Sequence, residues 1–280
     1  MIMPKSPPKV MTFSATDPTG GAGLQADILT LASLGCHPLS ITTAITVQDT
    51  IGVESLMAID ADWINDQARS ILEDMEVSVF KLGLLGSTEN IAMVAEIVAD
   101  YPNIPLILDP ILASGRGDEL VNTEMMDAMI QLLFPQTSLV TPNSFEARRL
   151  VAKDEEGFSN ISINKCARRL KDMGCQNVLI TGTHEKTDVV VNTFYAADGE
   201  TLPFYWERLS GGYHGSGCTL ASAISAYYAQ GFALKEAIEE GQHFTWKTLK
   251  NAFKAGMGQA IPDRFFWINE DDDDGRCTHH

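Results

Sequence analysis

The sequence predicts an α/β fold, a mainly parallel central sheet flanked by helices. Three observations lead there. Strand-like and helix-like stretches alternate along nearly all 280 residues, the pattern of a parallel sheet covered by helices. No Pro- or Ser-rich linker and no internal repeat divides the chain. One domain is therefore expected, although a rule of about 150 residues per domain would suggest two. Hydrophobic residues are 45% and charged residues 20%, which suits a chain that buries a sizeable core.

The elements follow in order. Residues 1–9 read as a flexible leader and 10–14 as a strand. That strand runs into Asp17-Pro18-Thr19-Gly20-Gly21-Ala22-Gly23, a loop by composition. Leu24, Ile28, Leu31 and Leu34 share one helical face, and Gly35 stands where helices stop. Residues 39–46 are rich in β-branched side chains and read as a strand, and 53–59 as another. Asp60 caps a helix through Leu72. Residues 77–82 form a strand, 87–99 a helix, and 106–108 a strand ending at Asp109-Pro110. A helix at 122–133, a strand at 138–140 and a helix at 143–151 come next. A helix at 162–173 and a strand at 178–181 follow, then two antiparallel strands at 187–195 and 202–208. The last long helices are 217–230 and 234–253. The domain is expected to span 10–268, with 269–280 as an acidic disordered tail.

The chain carries 20 basic and 37 acidic residues, a net charge of -17. Removing Glu270 and the four aspartates after it still leaves 32 acids. Such a field repels nucleic-acid phosphates and anionic membrane surfaces. An anionic small substrate then needs a local cluster of donors. Five cysteines without a C-x-x-C pair argue against a disulfide framework or a structural zinc site. No apolar run of about 18 residues suggests a membrane span, and no signal peptide is visible. A cytoplasmic protein is expected.

In an open parallel sheet, ligands bind beyond the carboxyl ends of the strands, so the loops there carry the candidate chemistry. The strongest signal is Gly211-Gly212-Tyr213-His214-Gly215-Ser216-Gly217-Cys218-Thr219, opening a helix. Glycines let backbone N–H groups converge, and a helix start adds unpaired donors and a positive dipole end. Together they make an anion hole. The plain alternative is a glycine-rich loop that only starts a helix. Gly212, Gly217, Cys218 and Thr219 also match the Walker A spacing, but Cys218 stands where that motif needs lysine, and that reading is rejected. Cys218 at a helix start favours a thiolate, able to take a proton from a hydroxyl. A small buried core filler is the competing reading.

Two further signals lie nearby. Asp109 ends a strand, and Asn143 and Glu146 open a helix three residues apart, on one side. Acids there suit Mg²⁺ held through water, while a capping box explains Asn143 and Glu146 equally simply. Gln48, after another strand, offers a donor and an acceptor to an amino-substituted nitrogen heterocycle, or simply makes a turn.

Taken together, SATDPTGGAGLQAD, TVQDT, FKLGLLGS, LDPILASGRGD, TPNSFEA and HGSGCTLASAI resemble the bacterial hydroxymethylpyrimidine and phosphomethylpyrimidine kinases of thiamine biosynthesis. The motifs keep family order over residues 10–255. The resemblance implies a ribokinase-like, three-layer α/β/α fold, often dimeric. It implies ATP- and Mg²⁺-dependent phosphorylation of 4-amino-5-hydroxymethyl-2-methylpyrimidine, and then of its monophosphate. By matching, Gln48 would bind the aminopyrimidine, with Asp27 and Ala15 lining the pocket and Leu84 and Ile111 as apolar walls. Gly215, Ser216 and Gly217 would form the anion hole and Cys218 would be the base. Asp109, Asn143 and Glu146, with Thr181 and Thr183, would organise ATP and Mg²⁺, the metal held through water by Asp109 and Glu146.

The chain departs from the family at a Lys-Gly-Gly-His segment, which here reads Thr181-Gly182-Thr183-His184. A phosphate-neutralising charge is missing, and Arg116, in the loop at 113–118, is the expected replacement. Two alternatives stand beside this reading. One is a pyridoxal kinase, whose ring is of similar size. The other is a non-enzymatic sensor of the pyrimidine or nucleotide, which would have no use for a base beside an anion hole.

Overall fold

A computed structural model describes residues 6–114, 117–152 and 161–270. The calls on residues 1–5, on Arg116 and on residues 271–280 lie outside that range. Nine strands form one sheet in the order β3-β2-β1-β4-β5-β6-β7-β8-β9. Here β1 is Lys9–Thr16, β2 His37–Gln48, β3 Val53–Ala58, β4 Val79–Leu82, β5 Leu106–Leu108, β6 Leu139–Val140, β7 Asn177–Ile180, β8 Val189–Tyr195 and β9 Thr201–Glu207. The run from β2 to β7 is parallel, while β3 at one edge and β8 and β9 at the other are antiparallel.

The helices are α1 Gly23–Ser33, α2 Ala61–Leu72, α3 Thr88–Asp100, α4 Thr123–Ala128, α5 Ser144–Val151, α6 Ile163–Asp172, α7 Ser216–Ala229, α8 Leu234–Lys250 and α9 Trp267–Glu270. Alternation along each strand sends side chains to opposite faces. Met11, Phe80, Leu106, Leu108, Val140 and Val178 pack into one core, together with α2 to α6. Val10, Val79, Ile107, Leu139 and Leu179 pack into the other, together with α1, α7 and α8. These are the three layers the resemblance implied.

Polar side chains set most helix starts. Asp60, Ser87, Asn122, Asn143 and Ser162 each accept a backbone N–H of the first turn. Helix α7 begins on Gly215 with no such side-chain cap. Three expectations shift. The leader ends before Lys9, which belongs to β1, and His37 donates its N–H to the Pro8 carbonyl. The helix expected at 122–133 is α-helical only to Ala128, then opens into a wider π turn and a tight 3-10 turn at Phe134–Gln136. Pro135 has no N–H to continue it. Helix α9 was not expected.

Candidate active site

Two glycine-rich segments meet at the carboxyl end of the sheet. Gly215 has φ 78°, which side-chain-bearing residues rarely adopt, and a methyl group there would collide with the Gly21 carbonyl oxygen and sit 2.7 Å from Ala22 Cα. The turn before α7 therefore lies flat against the loop after β1. Asp17, fully buried, writes the shape of that loop. Its carboxylate accepts the Thr19 N–H at 2.8 Å, the Thr19 hydroxyl at 3.0 Å and the Ala22 N–H at 2.6 Å. His214 Nε2 reaches it at 2.8 Å from the turn itself. Burial raises the Asp17 pKa, but the bonds from His214, Thr19 and Ala22 outweigh it and hold the group below its ordinary value. An ionised carboxylate only accepts, so His214 donates.

Cys218 and Asp109 lie under this turn, both buried. Asp109 Oδ2 has no hydrogen-bond partner among the described residues. Burial pushes the Asp109 carboxyl up to about 6, against the pull of Lys81. The thiolate expected at Cys218 is a correction. Burial raises its pKa well above the ordinary thiol value, Asp109 and Asp27 add to the rise, and Lys81 only partly opposes it. The helix start favours a thiolate, but two carboxylates and low polarity outweigh it. The resting protein therefore favours the thiol over the thiolate.

Asp27 is a second correction. Expected to line the substrate pocket, it is fully buried between β1, β4, α1 and α7. Its oxygens accept the Thr12 hydroxyl at 2.7 Å, the Ser222 hydroxyl at 2.7 Å and the Lys81 ammonium at 2.8 Å on each. Ser222 stands one helical turn beyond Cys218, so this network sets the height of α7 over the sheet. A carboxylate so saturated has no spare oxygen for a substrate.

The capping box at Asn143 and Glu146 is realised: Asn143 accepts the Phe145 and Glu146 N–H groups, and Glu146 accepts the Asn143 N–H. Glu146 also takes the Leu112 N–H at 3.4 Å. Burial pushes its carboxyl up to about 8, and the nearby Asp109 adds to the rise. Asp109 thus resists the charge on Glu146 and itself has an orphaned oxygen. A hard divalent cation held by oxygen donors relieves both, so the pair fits Mg²⁺. Among the described residues no group of three or more His, Cys, Asp or Glu is arranged to ligate a metal directly.

Gln48 donates to the Thr46 hydroxyl at 2.7 Å and shares one narrow crevice with Thr50, Val53, Ser114, His214 and Gln259. His214, the residue before the anion-hole turn, thus lines a crevice of only about 10 Å³ that Gln48 also lines. Ala15, near the end of β1, and Leu84, just after β4, are buried in the core, and Ile111 is half-buried. Thr181 pairs its backbone with Pro142 and Ser144. Thr183 is exposed, and its carbonyl accepts from Arg208, which also binds the Glu185 and Thr187 carbonyls. A larger cavity of about 250 Å³ lies between α6 and the β8–β9 turn, far from this chemistry at the amino end of β7.

Sequence reasoning missed Asp17, Lys81, His214 and Arg264 as structural members of the site. Lys81 had a signal, a charge inside an otherwise apolar strand. Arg264, which bonds Gly20, Gly21 and Thr219, had none, because its partners are distant in sequence.

A family model described as phosphomethylpyrimidine kinase matches residues 17–263. The chain belongs to that family. The hydroxymethylpyrimidine/phosphomethylpyrimidine kinase of Mycobacterium tuberculosis is 35% identical over 272 residues, covering 94% of this chain and 96% of the relative. Among solved structures, the pyridoxal kinase of Staphylococcus aureus in complex with pyridoxal superposes with a TM-score of 0.83 at 27% identity, covering 94% of this chain and 95% of that one. A phosphomethylpyrimidine kinase from Clostridium difficile gives 0.73 at 27% identity, over 86% and 99%. Matched from Asp17 to Asp263, this member of the family carries both glycine-rich segments and the whole Asp109–Glu146–Cys218 cluster inside the family region.

Proposed function

We propose that this kinase moves the γ-phosphoryl group of ATP to the hydroxymethyl oxygen of 4-amino-5-hydroxymethyl-2-methylpyrimidine, and then phosphorylates the monophosphate to the diphosphate, for thiamine biosynthesis. The observation that carries the reading is the family match over residues 17–263, supported by Gln48 and His214 lining one crevice; a heterocycle on Gln48 would present its alcohol toward the uncapped amides of Gly215, Ser216 and Gly217. Phosphoryl transfer needs placement and charge neutralisation more than covalent help.

Cys218 is the base, and it acts as a relay. The thiol passes its proton to the Asp109 carboxylate as the sulfur takes the hydroxyl proton. The alcohol oxygen bonds to phosphorus and the bond to ADP breaks. Mg²⁺ would be held through water by Asp109 and Glu146, where it neutralises phosphate charge. Asn143, Thr181 and Thr183 stand on the neighbouring loops as ATP contacts, with Arg116 as the cation in place of the family lysine. Ala15, Leu84 and Ile111 shape the apolar side of the pocket. We place the enzyme in the cytoplasm as a homodimer, with the exposed Ile45, Val47 and Met57 of β2 and β3 as the apolar contact face.

A second reading, pyridoxal kinase, is favoured by the superposition on the Staphylococcus aureus enzyme. The deciding experiment is product analysis with ATP and Mg²⁺ on each alcohol at equal concentration, separating monophosphate from diphosphate. A pyrimidine diphosphate product is expected. Faster phosphorylation of pyridoxal, or ATP turnover indifferent to either alcohol, would sink the reading.

A further inference from the structure

Arg264 is a buried cation whose hydrogen bonds go to neutral oxygens, while the carboxylates of Asp27, Asp17 and Asp263 act on it only through space. It is 3% exposed, and its guanidinium makes four hydrogen bonds. Nη2 donates to the Gly21 carbonyl at 2.6 Å and the Thr219 hydroxyl at 2.9 Å, Nη1 to the Gly20 carbonyl at 3.3 Å, and Nε to the Thr219 hydroxyl at 3.2 Å. All four acceptors are neutral oxygens. Burying a charge with no carboxylate bonded to it is costly, so its place in the fold calls for a reason.

Its surroundings supply one. Arg264 ends a strap running from Gly258 across the mouth of the site. Gly258 donates to the Thr50 hydroxyl and Gln259 to the Thr50 carbonyl, beside the Gln48 crevice. Ala260 then pairs with Gly212 and His214, on the turn before α7. Arg264 closes the strap by joining the loop after β1 to Thr219, whose hydroxyl also bonds the Gly215 carbonyl at 2.9 Å. The cation thus stands against the first turn of α7, tied to Thr219 and to the loop after β1.

We propose that Arg264 is a positioning residue that supplies a fixed positive charge against the first turn of α7. It supports the transferring phosphoryl group where Thr181 offers no lysine charge. The proposal rests on the reading of the α7 start as the seat of that group. A preorganised cation acts on the charge that moves during transfer more than on the neutral ring, so the effect falls on kcat and leaves the pyrimidine KM near its starting value.

The test compares Arg264→Lys, which keeps charge, with Arg264→Gln, which keeps donors without charge, in folded enzyme of matched circular dichroism. Arg264→Gln should lower kcat by about 10–100-fold with pyrimidine KM nearly unchanged, and Arg264→Lys should recover most of the loss. A Gln variant with near-normal kcat, or a Lys variant as impaired as the Gln variant, overturns the proposal. Should Arg264→Gln not fold, the folded Lys variant decides: retained kcat supports the charge, and a severe loss overturns it. Cys218→Ala runs alongside. If it loses transfer while Arg264→Gln does not, only this inference fails; if neither loses transfer, the seat itself is misplaced.

Discussion

Lys81 Nζ stands 2.8 Å from both carboxylate oxygens of Asp27, and neither side chain reaches solvent. Burial alone would lower the ammonium pKa, but Asp27 outweighs it and holds Lys81 above its ordinary value. That contribution to stability is fully present below the unfolded lysine pKa and is lost as pH rises through the folded one. Removing one partner leaves the other charge buried and bare. Lys81→Met or Asp27→Asn alone should cost about 3–5 kcal/mol in urea unfolding. The double variant Lys81→Met with Asp27→Asn should cost clearly less than the two single losses combined. Purely additive losses would show that the pair does not act as a unit.

Cys218→Ala should keep pyrimidine binding in calorimetry and lose about 10²–10⁴-fold in transfer. Its raised pKa also predicts slow alkylation of the native thiol at neutral pH. Rapid labelling together with normal turnover of the alanine variant would remove both the thiol state and the base role.

Gly215→Ala adds a methyl at φ 78° against the Gly21 carbonyl. The left-handed backbone alone costs about 1–2 kcal/mol, and the collision adds to it. The variant should melt lower and bind ATP poorly even where it folds. A melting temperature and ATP affinity equal to the parent's would mean the two glycine segments do not touch.

Asp17 carries an acid-side prediction. Its folded pKa lies below the unfolded one, so its contribution is present above the unfolded carboxylate value and disappears as pH falls through the folded value. The stability gap between parent and Asp17→Asn should be constant from about pH 5 upward and shrink below about pH 4. A gap that widens in acid would reverse the sign of the argument.

Glu146 runs the other way. Its carboxyl, pushed up to about 8, favours the protonated form when folded, so stability is lost as pH rises from the unfolded value through the folded one. Glu146→Gln preserves the capping geometry and removes the buried charge. Without metal it should melt no lower than the parent at pH 8, while needing more Mg²⁺ for half-maximal rate. Unchanged Mg²⁺ dependence would take Glu146 out of the metal's reach.

The layered fold was legible because alternation of strand and helix, with apolar strands buried on both faces, survives in one dimension. Caps at Asp60, Ser87 and Asn143 were legible for the same local reason: each satisfies N–H groups two or three residues away. The Gly215–Cys218 turn was visible because glycine content and a helix start are also local.

What the sequence by itself determined is therefore the order of elements, the position of the anion-hole turn and the family motifs. The tertiary structure alone decided the charge states and the partners. Burial raises the Cys218 thiol pKa, and Asp109 and Asp27, which fold around it from elsewhere in the chain, add to the rise. Asp27 faces Lys81, 54 residues away, rather than substrate, and Arg264 reaches Gly21 across 243 residues. Electrostatic energies depend on distance in space and on burial, and neither can be read from spacing along a chain.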